Sequence, residues 1–371
     1  MTQIAKARSL APGSTIGILG GGQLGRMITL AAADFGLRTI IYEPEISGPA
    51  AQVTNQHMAG AYGDESHLAT FAERVDVVTY EFENVPAEAV AFLSRLKPVR
   101  PGGRLLAVSQ DRFLEKSFLA ECGIATAPFA RIDGPGDLGE AARAVGPRCV
   151  LKTRRFGYDG KGQARFDVGD DASGAWRAVG GAPSILEGFV RFAREVSVVA
   201  ARGADGDFAA FDLCENEHRH HILARTIVPA SVRRRTVGAA IGIARRIAEA
   251  LDVIGVFAVE LFVCEAGGRE KLLVNEIAPR VHNSGHWTID GASVSQFEQH
   301  IRAVAGWPLA KPIRHGQVQM TNLIGDDVDD YERWLQSPGT AVHLYGKKEA
   351  RPGRKMGHVT RIFTENKRQS R

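Results

Sequence analysis

Two apolar runs separated by a pair of glycines constrain this chain more than any other feature of its sequence. The runs are Val256–Glu265 and Lys271–Ala278, and the short segment between them contains Gly267 and Gly268. Apolar runs on either side of a Gly-Gly turn predict an antiparallel β-hairpin. Each strand of the hairpin carries an acid, so the register decides how the two acids are arranged.

Glu260 and Glu276 are predicted to lie opposite each other in this hairpin. They are placed symmetrically about residue 268 and both have even numbers, so a period of two directs them to the same face. Carboxylates about 5 Å apart repel by about 3 kcal/mol at an effective dielectric constant of about 20. A divalent cation relieves that repulsion, and such an oxygen pair suits magnesium carried on a nucleotide phosphate. The alternatives are an edge hairpin with both acids in water, and a slipped register that separates them.

The loop after the second strand is rich in cations and hydrogen-bond donors. Arg280, His282 and His286 follow Glu276 closely, and residues 283–285 between the histidines read Asn-Ser-Gly. A strand that ends in a carboxylate and opens into such a loop is suited to hold an anion beside a metal. The alternative is an ordinary polar loop.

Composition indicates an ordinary globular protein. The chain has 371 residues, so two or three domains are expected, and its 44% hydrophobic and 24% charged residues give no indication of disorder. The net charge of +4 fits anionic small-molecule partners better than nucleic acid. The four cysteines lack metal-ligand spacing, and no apolar run reaches the roughly 18 residues of a membrane span. The N-terminal segment has no signal-peptide core, so a cytoplasmic protein without a membrane partner is expected.

The first hundred or so residues alternate short apolar strands with helical segments, which predicts a parallel sheet with helices on both faces. Gly20, Gly22 and Gly25 follow the first strand in a G-x-G-x-x-G pattern, and Glu43 stands where an acid that binds ribose would. A dinucleotide site is therefore one interpretation. The same turn at a helix N-terminus also holds any phosphate or carboxylate.

The middle of the chain offers a glycine-rich flap beside an apolar strand. Residues 157–163 read GYDGKGQ, and glycines with a lysine allow backbone N–H groups to turn toward one anion. Lys152 ends an apolar strand, where an unpaired ammonium is costly, so a phosphate or a neighbouring carboxylate is expected beside it. Glu187 ends another such strand and precedes Glu195, an arrangement similar to an adenosine pocket. The alternatives are a mobile hairpin tip and surface acids.

The order of these motifs resembles that of the ATP-grasp enzymes. Within them, GGGQLGRM, YEFENVP, RRFGYDGKGQ, the long block from Asn275 and the cluster RPGRK at 351–355 resemble the 5-(carboxyamino)imidazole ribonucleotide synthetases of purine biosynthesis. The resemblance runs from about Ser14 to Thr360. It implies a ligase that converts ATP, bicarbonate and 5-aminoimidazole ribonucleotide to the carbamate, ADP and phosphate.

The resemblance implies a fold and a division into domains. The fold is α/β, becoming α+β in the central and C-terminal parts, with an N-terminal Rossmann-like parallel sheet, a small lid and an antiparallel C-terminal sheet. The domains are residues 1–110 for the ribonucleotide, 111–190 for the lid with its flap, and 191–371 with the metal acids and the basic element. A homodimer is expected.

The resemblance also implies the site residues. Those implied to bind ATP are Arg112, Lys152, Gly157, Tyr158, Asp159, Gly160, Lys161, Gly162, Gln163, Glu187, Gly188, Phe189, Val190, Glu195, His218, Asn275 and Glu276. Those implied to bind the ribonucleotide are Gln23, Leu24, Glu81 or Glu83, Arg351, Arg354 and Lys355. Those implied to be catalytic are Tyr158, Asp159, Lys161, Arg280, His282 and Lys355, and magnesium is implied on Glu260 and Glu276.

Two of these residues depart from a simple pattern. Parity places the side chain of Asn275 on the face opposite Glu276. Lys161 stands where many relatives have arginine, and a point charge meets bicarbonate without bidentate geometry. The implied chemistry passes through carboxyphosphate, and the ring amine attacks that carboxyl carbon or released carbon dioxide. The other classes are a different ATP-grasp ligase on a related ribonucleotide, a non-catalytic nucleotide-binding regulator and an NAD-dependent oxidoreductase.

Overall fold

A computed structural model describes residues 9–157 and 160–363, and the predicted residues Tyr158 and Asp159 lie outside them. The described residues form three sheets of four, nine and four strands. Among them, no helix is both long and apolar enough to cross a membrane.

The first sheet is parallel, as predicted, and its strands follow the order β3-β2-β1-β4. A single parallel bridge also joins Val99 to Val78. The strands are β1 (Thr15–Leu19), β2 (Arg38–Tyr42), β3 (Gln56–Met58) and β4 (Val77–Tyr80). The helices are α1 (Gln23–Asp34), α2 (Glu65–Glu73), α3 (Ala87–Ser94) and α4 (Gly103–Ser109).

The second sheet is small and antiparallel, with the order β5-β8-β6-β7. It follows α5, which begins at Arg112 directly after Asp111, whose carboxylate accepts the first free N–H groups of the helix. The helices are α5 (Arg112–Glu121), α6 (Leu138–Val145) and α7 (Ala172–Ala178). The strands are β5 (Phe129–Ile132), β6 (Arg148–Thr153), β7 (Gln163–Asp167) and β8 (Ser184–Gly188).

The third sheet contains nine strands and runs β14-β13-β9-β11-β12-β15-β17-β16, with β10 paired to β9. The strands are β9 (Arg194–Arg202), β10 (Phe208–Ala210), β11 (Cys214–Arg219), β12 (Ile222–Val228), β13 (Gly255–Ala266), β14 (Arg269–Ala278), β15 (Gln317–Ile324), β16 (Thr340–Leu344) and β17 (Lys355–Phe363). The helices are α8 (Arg234–Ala250), α9 (Thr288–Gly291), α10 (Gln296–Ala305) and α11 (Tyr331–Leu335).

The predicted hairpin is formed by β13 and β14, and its acids do pair, but through a bulge. Both turn glycines have positive φ, at +56° and +70°, which makes a two-residue turn that pairs Ala266 with Arg269. The turn is therefore centred between Gly267 and Gly268, half a residue before the centre at residue 268 that was assumed from the sequence. With this centre, a regular ladder without a bulge would pair Glu260 with Asn275. An irregularity beside Glu260 inserts Asn275 and brings Glu276 opposite Glu260.

The two faces of the hairpin confirm this bulge. Val274 and Ile277 pack in the same core, against α8, although strict alternation over three residues would place them on opposite faces. Because the bulge interrupts the alternation, the side chains of Asn275 and Glu276 both lie on the face opposite this core, where both line a cavity. The prediction that Asn275 faces away from Glu276 was therefore wrong.

Helix α10 joins the first sheet to the large one. Its residue Ile301 packs in one core with Ile16 and Ile28 of the first unit, which consists of the first sheet and helices α1 to α4. The same core contains Val199 and Val256 of the nine-stranded sheet, called the large sheet below. The hairpin acids lie beyond the end of this core, where the three sheets meet around a cavity.

Candidate active site

A cavity of about 860 Å³ lies between the three sheets and brings most of the predicted residues together. From the first unit and helix α5 it is lined by Gln23, Leu24, Glu83 and Arg112. From the small sheet it is lined by Lys152, Gly157, Gly160, Lys161, Gly162, Gln163, Glu187, Gly188, Phe189 and Val190. From the large sheet and its loops it is lined by Glu195, His218, Glu260, Asn275, Glu276, Arg280, His282 and Lys355.

Each hairpin acid has a cationic or imidazole partner in the cavity wall. Oε1 of Glu260 lies 2.9 Å from Nε2 of His282, and Oε2 of Glu276 accepts a hydrogen bond of 3.0 Å from Nη1 of Arg112. Burial acts to raise the pKa of Glu260, yet its neighbours His282, His218 and Lys355 lower it on balance. Glu260 therefore carries its charge within a buried setting.

A second layer of charge lies under the hairpin, and the residue in it that sequence reasoning missed is Lys116. Lys116 is 1% exposed, donates to the carbonyl oxygen of Asn275 at 3.0 Å and lies 3.6 Å from Oε2 of Glu187. The same Glu187 oxygen accepts from Nζ of Lys152 at 2.9 Å. These ammonium groups hold the pKa of Glu187 at about 2 although burial acts to raise it. The available signal was the position of Lys116 four residues after Arg112, on the same face of α5.

Glu115 is a further buried acid behind Glu276. Its Oε1 accepts the backbone N–H of Ile277 at 2.6 Å, and its side chain is 2% exposed. Burial and the neighbouring Glu276 raise the pKa of Glu115. The strand that carries Glu276 is thus fixed from α5 on both sides of the bulge.

The wall near residues 187–190 is apolar and flat. Phe192 and Phe262 were not predicted; they line the cavity, and their rings stack with centroids 4.7 Å apart at 13°. Nδ1 of His218 lies 3.0 Å from Oε2 of Glu195 at the same wall. Glu195 raises the pKa of His218 against the opposing effect of burial. An aromatic surface beside a carboxylate and imidazole suits a nucleoside.

The flap covers one side of the cavity. Gly160 and Gly162 have φ of +81° and +70°, and a Cβ on Gly160 would lie 2.7 Å from the side chain of His221. Glycine is therefore required where the flap approaches the large sheet. The predictions for Tyr158 and Asp159 stay predictions, since these residues are outside the described ranges.

The glycine turn of the first unit already holds two carboxylates. Glu81 accepts the N–H groups of Gly22 and Gly25 at 2.5 and 2.7 Å, and Glu43 accepts that of Gly21 at 3.1 Å. The protein's own acids thereby occupy the backbone N–H groups of the turn. The dinucleotide interpretation assigned Glu43 to a ribose, whereas in the structure Glu43 binds the turn. Burial raises the pKa of Glu81.

Of the two acids predicted for the ribose, only Glu83 is among the lining residues. Its carboxylate forms an ion pair with Nε of Arg280 at 2.5 Å. Arg280 holds the pKa of Glu83 at about 2 against the effect of burial. The pair joins the first unit to the loop after β14, so the cation-rich loop is anchored over the cavity.

The basic cluster at 351–355 lies near the first unit, and its cations divide between two cavities. Lys355 lines the large cavity, whereas Arg351 and Arg354 line a neighbouring one of about 260 Å³. Residues 47–49 and Lys347 also line the smaller cavity, and Nε2 of Gln52 donates to the carbonyl oxygen at 346 at 2.7 Å. The three cations therefore do not line a single cavity.

The donor set of the hairpin fits a magnesium ion that is shared with phosphate oxygens. Glu260 and Glu276 supply hard oxygen atoms, and Oδ1 of Asn275 beside them is buried without a hydrogen-bond partner. Within the described ranges, no group of three or more His, Cys, Asp or Glu residues is arranged to hold a metal by itself. Magnesium usually binds through one or two carboxylates together with substrate phosphates, so a protein cage is not required.

Three family models match successive parts of the chain. They are a ribonucleotide synthetase preATP-grasp domain at residues 13–110, an ATP-grasp domain at 117–297 and a phosphoribosylaminoimidazole carboxylase C-terminal domain at 319–370. The first of these matches contains the glycine turn and the third contains the basic cluster at 351–355.

Known proteins match over nearly the whole chain. The N5-carboxyaminoimidazole ribonucleotide synthase of Brucella melitensis is 54% identical over 95% of this chain and 98% of its own, and that of Pseudomonas aeruginosa 45% over 93% of each. The structure of the Thermus thermophilus synthetase has a TM-score of 0.87 at 45% identity, covering 94% of both chains. An ADP complex of such a synthetase has a TM-score of 0.92 at 38% identity, covering 97% of this chain and 95% of its own. The chain belongs to the N5-carboxyaminoimidazole ribonucleotide synthase family, within the ATP-grasp enzymes.

Proposed function

We propose that this protein joins bicarbonate to the amine of 5-aminoimidazole ribonucleotide at the expense of ATP, giving N5-carboxyaminoimidazole ribonucleotide, ADP and phosphate. The observation that carries the proposal is a cavity lined by the acid pair, the flap, Lys355 and the two residues that follow the glycine turn, Gln23 and Leu24. A relative from Aspergillus clavatus, 29% identical with a TM-score of 0.87, has a structure described as a complex with ADP and the aminoimidazole ribonucleotide. We assign ATP and the ribonucleotide to opposite ends of this cavity.

ATP occupies the end formed by the small sheet. The adenine lies against residues 187–190 and the Phe192–Phe262 pair, with Glu195 near the ribose. Lys152 and Arg112 neutralise the phosphates, and residues 157–163 close over them. Glu260 and Glu276 would hold a magnesium ion, which supplies charge neutralisation to the phosphate oxygens when bound.

Bicarbonate reacts between the phosphates and the cation-rich loop. One of its oxygens attacks the γ-phosphorus, the bond to the bridging oxygen breaks, and ADP leaves with that electron pair. The protein's part is positioning and neutralisation of charge on the equatorial oxygens. Lys152, Arg280 and His282 lie around this point, and Lys161 of the flap faces it.

The amine of the ribonucleotide then attacks the carboxyl carbon, the bond from that carbon to the phosphate oxygen breaks, and the amine gives up a proton. Gln23 and Leu24, in the first turn of α1, line the end of the cavity nearest the glycine turn. Glu83 is placed for the ribose hydroxyls, and Lys355 for the phosphate of the ribonucleotide. Arg351 and Arg354 act from the neighbouring cavity through their charge.

We further infer a cytoplasmic homodimer whose three units divide near residues 110 and 190. The family resemblance supports these three inferences. Sedimentation velocity at micromolar concentration tests the oligomeric state: a species of twice the 40.0 kDa chain mass is expected, and a monomer at all concentrations contradicts it.

The experiment that tests the function is phosphate release with each substrate omitted in turn. We expect ADP formation to require both bicarbonate and 5-aminoimidazole ribonucleotide and to be indifferent to nicotinamide nucleotides. Coupled turnover that persists after rigorous removal of bicarbonate rules out the carboxyphosphate route. Activity with formate or glycine in its place would assign the chain to the other ATP-grasp ligases that act on related ribonucleotides.

A further inference from the structure

A row of buried hydroxyl and amide groups crosses the large sheet and ends beside Glu260. Thr226 lies on β12, Asn216 on β11, Ser197 on β9 and Ser284 in the loop after β14, and each is 6% exposed or less. Ser197 is the direct neighbour of Glu260 across β9 and β13. Three strands thus contribute to a polar row directly behind an acid of the site.

Hydrogen bonds join this row into one chain that reaches the acid through His282. Every link is 3.0 Å or shorter, so each donor is matched to an acceptor at normal distance. The links are Thr226 Oγ1 to Asn216 Oδ1 at 3.0 Å, Asn216 Nδ2 to Ser197 Oγ at 2.9 Å, Ser197 Oγ to Ser284 Oγ at 2.7 Å, Ser284 Oγ to His282 Nδ1 at 2.8 Å and His282 Nε2 to Glu260 Oε1 at 2.9 Å.

The direction of the chain is fixed by one backbone group. The N–H of Ser284 points at Nδ1 of His282 at 3.3 Å, and an N–H only donates, so Nδ1 is the acceptor. The ring proton is then on Nε2, which donates to Glu260. The Ser284 hydroxyl also donates to Nδ1, so its oxygen accepts from Ser197, whose oxygen accepts from the amide of Asn216.

We propose that Ser284 and Ser197 are positioning residues that hold His282 in the tautomer with the proton on Nε2. That tautomer fixes Oε1 of Glu260, a residue that lines the cavity, by a hydrogen bond, so that the other carboxylate oxygen would be available to magnesium. The other tautomer would place a ring lone pair against a carboxylate oxygen, and the carboxylate would turn away. The inference rests on the proposed role of Glu260 as a magnesium ligand.

If these hydroxyl and amide groups served only to satisfy one another's hydrogen bonds in the core, a different result would be expected. Removing one hydroxyl would then lower the free energy of unfolding without changing the tautomer or the binding of magnesium. The two roles are therefore separated by measuring the imidazole itself. The matched control is Ser184→Ala, since Ser184 is also fully buried and its hydroxyl donates to the carbonyl of Ala182 at 2.8 Å, within the small sheet.

The first measurement is the ring nitrogen resonances of ¹⁵N-histidine-labelled protein without ligands, with those of His282 assigned from a His282→Asn variant. We expect wild type and Ser184→Ala to show an unprotonated Nδ1 and a protonated Nε2. Ser284→Ala should move both resonances toward the average of the two tautomers. Unchanged resonances in Ser284→Ala overturn the proposal.

The second measurement is calorimetric binding of ADP with and without magnesium. Ser284→Ala and Ser197→Ala should weaken the magnesium-dependent part of the affinity by about tenfold, and Ser197→Thr, which keeps the hydroxyl, should restore it. A changed tautomer with unchanged magnesium dependence also overturns the proposal, because Glu260 would then not depend on His282. Failure of the carboxylation assay would contradict the proposed function and leave the tautomer result standing.

Discussion

At the scale of single residues, the site depends on Glu276, which reaches its position only because Asn275 is inserted before it. Arg112 pairs with this acid on one side and Glu260 lies opposite on the other. The acid is placed to serve both the metal and the phosphates, so its charge matters more than its shape.

Glu276→Gln should reduce phosphoryl transfer by two orders of magnitude or more, because one metal carboxylate is worth several kcal/mol in the transition state. Single-turnover ADP formation measures this. Glu265→Gln, on the exposed end of the same hairpin, is the control and should remain active. Near-normal turnover of Glu276→Gln would mean that the pairing with Glu260 has no catalytic role.

Lys355 is the second residue whose role can be isolated. Lys355→Met should raise the KM for the ribonucleotide by about tenfold or more, as expected for the loss of a charged hydrogen bond of ~1.5–3 kcal/mol. The KM for ATP should change little. Lys311→Met, an exposed lysine outside the cavity, is the control in the same steady-state assay. Equal KM values for Lys355→Met and wild type would contradict a role in binding the ribonucleotide and would indicate that the 351–355 cluster is a solvated basic turn.

At the scale of elements, the described parts of the connection between β6 and β7, residues 154–157 and 160–162, carry one large apolar side chain, that of Phe156. Phe156 is 68% exposed, and the described backbone contact that closes the connection is the N–H of Thr153 to the carbonyl of Gly162 at 2.8 Å. Such a segment opens at low cost and becomes ordered by a ligand that it covers.

Amide exchange of residues 154–157 and 160–163 should therefore slow when ATP and magnesium are added together. Hydrogen exchange followed by mass spectrometry measures this, with the buried helix α10 as the internal reference. Exchange of this connection that is the same with and without nucleotide would show that it does not close over ATP.

At the scale of the whole molecule, His300 links the first sheet to the large one. Its Nδ1 accepts the backbone N–H of Val256 at 3.1 Å, and its Nε2 lies 2.8 Å from Oγ1 of Thr79. Burial lowers the pKa of His300 from 6.5 to about 4. The folded protein therefore keeps this imidazole neutral at a pH where the unfolded chain is protonated.

The sign of the pH effect follows from that lowered pKa. The contribution of His300 is complete above pH 6.5 and is lost as the pH falls through about 4, because the unfolded chain binds the proton first. This amounts to about 3 kcal/mol of unfolding free energy. His300→Gln keeps a donor and an acceptor but has no titrating ring. The free energy of unfolding of this variant in urea should therefore fall less than that of wild type between pH 6.5 and about 4. Parallel pH profiles for the two proteins would show that this histidine does not contribute.

The sequence by itself determined the features that depend on neighbours along the chain. The Gly-Gly turn of the hairpin and the alternation of strands and helices in the first unit follow from periods of two and 3.6 residues and from turn chemistry. The glycine-rich flap was recognised from its composition, and the resemblance to a known family supplied most of the residues that line the cavity.

Only the tertiary structure decided which charges meet. The bulge at Asn275 is fixed by Lys116, whose Nζ donates to its carbonyl oxygen from more than 150 residues away in sequence, and no local pattern records that contact. Glu81 was predicted for a ribose, yet it binds the amides of the glycine turn because a buried carboxylate must find donors nearby. Local rules act over a few residues, whereas buried charges are satisfied by whatever the fold brings to them.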